Sequence, residues 1–118
     1  MIVGNNRCSL AGQDLNGQWT KPKKKLFPEI YVTKAIIKKT IENRNIELFC
    51  DFHGHSRKMN IFLYGCDSPT DDKNAAKLFP YMLSRLFSIC AFEECNFAIQ
   101  KPRESTARVA VWRDFKVQ

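Results

Sequence analysis

The chain has 118 residues, 44% of them hydrophobic, and carries 19 Lys or Arg against 12 Asp or Glu for a net charge of +7. That length fits one small domain or part of a larger one, and the apolar content, nine phenylalanines included, argues for a packed core over a disordered tail. No apolar run approaches the ~18 residues that cross a bilayer, and Asn5, Asn6 and Arg7 interrupt the amino terminus too early for a secretory leader.

Five cysteines, at 8, 50, 66, 90 and 95, make an odd count, and most sit in apolar segments. Extracellular disulfide frameworks favour even counts at regular spacing, so free, buried thiols in a reducing cytoplasm are expected. The positive charge is concentrated: between Lys21 and Lys58 basic residues outnumber acidic ones ten to four. Such a stretch attracts acidic protein tails, nucleic acid or anionic lipid, or is a solvated face.

Residues 1–20, rich in Gly, Asn and Ser, read as a loop with turns. A basic loop, Lys21-Pro-Lys-Lys-Lys25, leads to Phe27-Pro28, which marks a helix start. A helix is expected over 29–44, with Glu29 early and Lys38, Lys39 and Arg44 late, as the helix dipole favours. Its core stripe is Ile30, Ile37 and Ile41, widened by Ala35 and Ile36.

Residues 46–52 read as a strand, because Ile46, Leu48, Cys50 and Phe52 alternate with Glu47, Phe49 and Asp51. It ends in His53-Gly-His-Ser56, which holds both histidines of the chain. A strand that delivers an imidazole into a turn keeps a metal ligand or general base still, and Gly54 lets the backbone turn. By themselves, two histidines one residue apart are a weak signal. A structural zinc site of Cys50, His53, His55 and Cys66 is conceivable, but its spacing matches no common finger and strand alternation turns Cys50 away.

Residues 60–65 read as the next strand and 66–74 as a polar loop. Pro80 opens a helix over 80–89 whose buried stripe is Met82, Leu83, Leu86 and Phe87. Residues 92–100 form a strand with Cys95, Phe97 and Ile99 on one side, and 104–112 pass from a polar loop into a strand. Alternating strands and helices give an α/β class, a mixed sheet with helices packed on it.

Three ordered segments carry a family resemblance. They are Gly4-Asn-Asn-Arg-Cys-Ser-Leu-Ala-Gly-Gln-Asp-Leu-Asn16, Asp51-Phe-His-Gly-His-Ser-Arg-Lys-Met-Asn-Ile-Phe-Leu-Tyr-Gly65 and Lys101-Pro-Arg-Glu-Ser-Thr-Ala-Arg-Val-Ala-Val-Trp-Arg113. Together they resemble the cytosolic carboxypeptidases, a branch of the funnelin zinc carboxypeptidases that trims glutamates from protein tails. The resemblance implies that residues 1–118 are the central part of such a catalytic domain. It implies one zinc ion, with His53 as a ligand and His55 lining the site or bonding locally. Arg7 matches the arginine that steadies the developing oxyanion, a role suited to a permanently charged group with several fixed donors. Asn16 matches a contact to the substrate's terminal carboxylate. Arg108 matches the reader of an acidic side chain, and the implied partners are acidic C-terminal tails such as those of tubulin. A membrane is not implied, and nucleic acid ranks last, since charge alone supports it and no RNA-binding or helix-turn-helix signature is present.

The chain also departs from the pattern. Gly17 stands where the family has an arginine that would clamp the carboxylate in bidentate fashion. No His-x-x-Glu is present, because the histidines are 53 and 55 alone, and no acidic residue occupies the family's catalytic context. Both elements are expected outside these residues, one upstream and one downstream, so the 118-residue chain by itself is expected to hydrolyse nothing. The rival expectation is a truncated, inactive relative that binds acidic tails without cutting them.

Overall fold

The computed structural model describes residues 7–67 and 74–117. Residues 4–6 of the first motif and most of the 66–74 loop lie outside the described residues. Three α-helices organise the rest: α1 at Pro28–Ile41, α2 at Ala75–Leu86 and α3 at Ala107–Phe115. Short 3-10 turns fall at Leu15–Gln18, Phe92–Glu94 and Lys101–Arg103.

Helix α1 follows its end signals. Pro28 takes the first position, where no amide is needed, Glu29 sits in the first turn, and Lys38 and Lys39 sit in the last. The helix ends at Ile41, short of the expected 44, although the Arg44 amide still donates to the Thr40 carbonyl at 2.9 Å. The stripe is narrower than its sequence suggests: Ile30 and Ile37 are buried, whereas Ile36 and Ile41 are exposed.

Two elements differ from expectation. Helix α2 begins at Ala75, and Pro80 lies inside it rather than at its start, forgoing one helical hydrogen bond. Its anticipated stripe is largely uncovered, with Met82, Leu86 and Phe87 exposed and only Leu83 half-buried. The final segment is helix α3 instead of a strand. Ala107, Val109, Ala110 and Val111 are all at most 3% exposed, and an apolar run buried on every side carries no period to tell helix from strand. Extended Thr106 precedes α3, and left-handed Lys116, at φ 58°, ends it.

Among the described residues the expected mixed sheet is not formed. Among the described residues pairing is limited to isolated bridges, one of them antiparallel between Cys8 and Asp14. Segment 60–65 does lie parallel to 90–96, which overlaps only the start of the expected 92–100 strand, with bridges at Ile61–Cys90 and Tyr64–Asn96. The turn at Phe92–Glu94 falls between those bridges and interrupts the ladder. Helix α2 makes the crossover that a parallel pair requires. Residues 46–52 take no place in a ladder. They reach the core through Ile46 and Phe49, three residues apart, and leave Phe52 90% exposed. A strand needs a neighbour for its backbone groups, and alternation alone does not supply one.

The core lies between α1 and α3. Ile37, Val111 and Val117 form its centre, with Trp19, Ile46, Phe49 and Phe115 packed around them. Trp19 meets Phe49 edge-on at 5.8 Å between ring centres. The Lys34 ammonium ties the layers together, donating to the Trp19 carbonyl at 2.8 Å and to Asp114 at 2.7 Å. Accessible surface totals 9331 Å², against about 6,600 Å² for a compact domain of this mass.

Candidate functional site

The site begins with a tight turn. The Gly12 amide donates to the Ser9 carbonyl at 2.9 Å, and Gly12 takes φ +71°, a left-handed conformation that glycine adopts without a steric cost. The chain doubles back so that Asp14 meets Arg7, whose Nε and Nη2 lie 2.8 and 2.7 Å from Oδ2. The second oxygen of Asp14 accepts the Asn16 amide at 3.1 Å and caps the turn at Leu15–Gln18.

Asn16 then links distant parts of the chain. Its Nδ2 donates to Asp51 Oδ2 at 3.3 Å, and its Oδ1 accepts the Ala107 amide, the first of α3, at 2.9 Å. Asp51 Oδ1 in turn faces His53 Nδ1 at 3.3 Å. A carboxylate there favours the tautomer protonated on Nδ1 and leaves Nε2 as the donor for a metal. His53 is half exposed and so open to such a ligand.

His55 has a different task. Its Nδ1 accepts the amides of Arg57 and Lys58 at 3.2 and 3.0 Å, and its ring meets Phe62 edge-on at 5.3 Å. This local bonding closes the turn. The backbone freedom expected of Gly54 is not used, because its φ is not positive. Lys58 fastens the same turn to the 3-10 turn at Phe92–Glu94, with Nζ 2.8 Å from the Glu94 carboxylate and 5.0 Å from the Phe62 ring centre. The hydrogen bond with Glu94 raises its pKa above the ordinary lysine value.

Arg108 sits in the first turn of α3 and is partly buried. Its Nη1 donates to the Gly65 carbonyl and lies 3.6 Å from Cys66 Sγ, and its guanidinium carbon lies 5.8 Å from the Tyr64 ring centre. Gly65 lies close against an aromatic ring: a Cβ there would stand 2.5 Å from Phe97 Cδ1, so any larger residue would force the ring or the backbone to move. Desolvation raises the Cys66 thiol's pKa despite the pull of Arg108, so the sulfur stays neutral at physiological pH. Among the described residues no carboxylate pairs with Arg108, which leaves a half-buried positive charge able to receive an acidic group.

All four residues singled out in the sequence thus belong to one network. Arg7 joins it through Asp14, His53 through Asp51, and Arg108 through the helix that Asn16 caps. The partners Asp14, Gly65 and Cys66 carry no sequence signal of their own; Asp14 and Gly65 are recognisable only as members of the motifs. Among the described residues no group of three or more His, Cys, Asp or Glu could hold a metal ion, so the Cys50, His53, His55, Cys66 arrangement does not arise. His53, with a carboxylate behind its ring, suits one position of a zinc site that needs two further protein donors. Nothing lies within 4 Å of a Cβ placed on Gly17, so a side chain there would leave the backbone into open space. Cys66 and Cys90 are buried as expected of free thiols, while Cys8 and Cys50 are exposed. No described helix is long and apolar enough to cross a membrane.

No protein-family model matches the chain. It is 51% identical over 119 residues to cytosolic carboxypeptidase 2 of Mus musculus, covering 96% of this chain and 13% of that protein. Identity to mouse cytosolic carboxypeptidase 3 is 45% over 119 residues, covering 96% of this chain and 12% of that protein. Mouse cytosolic carboxypeptidase 1 is 40% identical over 133 residues, covering the whole of this chain and 11% of that protein. The chain therefore spans about one-eighth of the length of the curated relatives it matches.

Proposed function

Since the chain belongs by sequence to the cytosolic carboxypeptidases, we propose that the intact protein is a cytoplasmic zinc metallocarboxypeptidase. It removes C-terminal or side-chain-linked glutamates from acidic protein tails, those of tubulin among them. Residues 1–118 contribute the central part of its catalytic domain, and the other two metal donors and the general-base glutamate come from elsewhere in the intact protein. The observation that carries the reading is convergence. Motifs as far as 91 residues apart meet at Asn16, which touches both the carboxylate behind His53 and the helix that bears Arg108.

Each residue has a chemical task. His53 would supply one neutral imidazole to a zinc ion, which when bound would supply Lewis acidity for the scissile carbonyl and the attacking water. Arg7 donates to the oxygen on which negative charge develops. Asn16 offers the second N–H of its Nδ2 to the terminal carboxylate. Arg108, lacking an ion-pair partner among the described residues, takes the acidic side chain of the departing residue. The free cysteines and the names of the relatives support a cytoplasmic setting.

The test uses the intact protein on peptides that end in Glu, Gln or Leu. Glutamate should be released, release should stop on chelation and return with zinc, and Arg108→Gln should lower kcat/KM for Glu ends by about 10²-fold. The rival reading, an inactive relative that holds acidic tails on its basic surface, draws on the open space at Gly17. Binding of an acidic tail without any zinc-dependent glutamate release would establish the rival instead.

A further inference from the structure

We propose that Asn16 is a positioning residue that locks the His53 imidazole and helix α3 to one another. The inference rests on the reading of His53 and Arg108 given above, and it assigns Asn16 a task additional to holding substrate. Its carboxamide presents a donor and an acceptor from one planar group, and both are engaged. Nδ2 holds Asp51 Oδ2 at 3.3 Å, and Asp51 faces His53 through its other oxygen. Oδ1 accepts the Ala107 amide at 2.9 Å.

The second contact fills a need of α3. The first amides of a helix have no partner inside it. Thr106, the residue placed to cap α3, makes no side-chain capping bond; its hydroxyl donates to the Arg103 carbonyl instead. Asn16 thus acts as a cap brought from the other end of the chain. The same seam is held by the Trp19 amide on the Ser105 carbonyl at 3.1 Å. Arg108 follows Ala107 directly, so the carboxamide that orients the carboxylate behind His53 also fixes the backbone from which Arg108 projects.

Asparagine suits this place because its amide offers both a donor and an acceptor without a charge. Aspartate would keep the acceptor for Ala107 but set a second carboxylate against Asp51, and alanine would remove both contacts. One residue therefore couples metal-site geometry to acidic-side-chain recognition.

The experiment compares intact wild-type protein with Asn16→Asp and Asn16→Ala, first free of metal and substrate. Two signals are followed by NMR: the ring nitrogen shifts of His53 at neutral to mildly alkaline pH, and hydrogen exchange at the Ala107 amide. Wild-type His53 should show the tautomer protonated on Nδ1, with Ala107 protected. Asn16→Asp should alter the tautomer balance while Ala107 stays protected, and Asn16→Ala should disturb both. Zinc affinity should then fall by about 10-fold or more in both variants, the usual effect of losing a group behind a metal ligand. An unchanged His53 tautomer in both variants would reduce Asn16 to a helix cap, and unaltered Ala107 exchange in Asn16→Ala would remove the capping role; either overturns the proposal. Should Asn16→Ala fail to fold, Asn16→Asp still decides. Because the NMR signals need no zinc, an intact wild-type protein that bound none would defeat the enzymatic reading and leave these results standing.

Discussion

Lys34 shows how much a charge count conceals. In the sequence it is one more cation in a basic stretch; in the structure its ammonium bonds to the Trp19 carbonyl and Asp114 and is only 16% exposed. Burial works against the charge on Asp114, but hydrogen bonds from Lys34 and Arg113 prevail and hold its carboxyl below the usual range. A depressed folded-state pKa contributes stability above the unfolded value of about 3.9, and that stability is lost as pH falls through the folded value. Lys34→Met should therefore cost about 1–2 kcal/mol at pH 7, with allowance for solvent screening of Asp114, and should cost less near pH 3. Urea melts at the two pH values check this, and an equal loss at both would refute the ion pair's role. At Gly17 the open space predicts that Gly17→Arg changes folding stability by no more than about 0.5 kcal/mol. If the intact protein is an exopeptidase, the same change should raise kcat/KM for glutamate release about 10-fold or more by restoring a carboxylate clamp.

At the scale of elements, the two glycines of the central motif part ways. Gly65 lies where the backbone carrying Arg108's carbonyl partner presses against Phe97, so Gly65→Ala should cost about 1–3 kcal/mol through overpacking. Gly54 has no positive φ and nothing within 4 Å of a Cβ, so Gly54→Ala should stay within about 0.5 kcal/mol of wild type. Denaturation midpoints of the two variants, measured side by side, test the contrast; equal losses would contradict it. Helix α1 was legible in the sequence because Pro28, Glu29 and the late lysines are local end signals. Helix α3 was not, because Val109-Ala-Val111 is enclosed on all sides and has no polar face to set a period.

The molecule exposes more surface than a compact domain of its size, and many large apolar side chains of the described residues lie on that surface. Its radius of gyration is 15.5 Å, against about 13.5 Å expected for 118 residues in compact form. Leu78, Met82, Leu86 and Phe87 of the α2 region are among the uncovered side chains. The isolated 118-residue chain should therefore bind a hydrophobic dye, unfold at low temperature or without a sharp transition, and hold zinc weakly, since one imidazole is a poor site. It should release no glutamate. A monomeric, dye-negative chain with cooperative unfolding, or one with zinc-dependent glutamate release, would contradict the view that it works inside a larger domain.

The sequence by itself determined the resemblance to the cytosolic carboxypeptidases, the motif segments that hold Arg7, Asn16, His53 and Arg108, and most of the course of α1, because motif strings and helix-end signals are short-range properties. It left His55 open between lining the site and bonding locally, and the structure shows the local bonding. Only the tertiary structure decided that Asn16 touches Asp51 and α3, that Arg108 rests on Gly65 and Cys66, and that 46–52 has no strand partner among the described residues. Those contacts join residues 35 to 91 positions apart. No local period encodes them, since they follow from which surfaces meet when α1 and α3 close on the core.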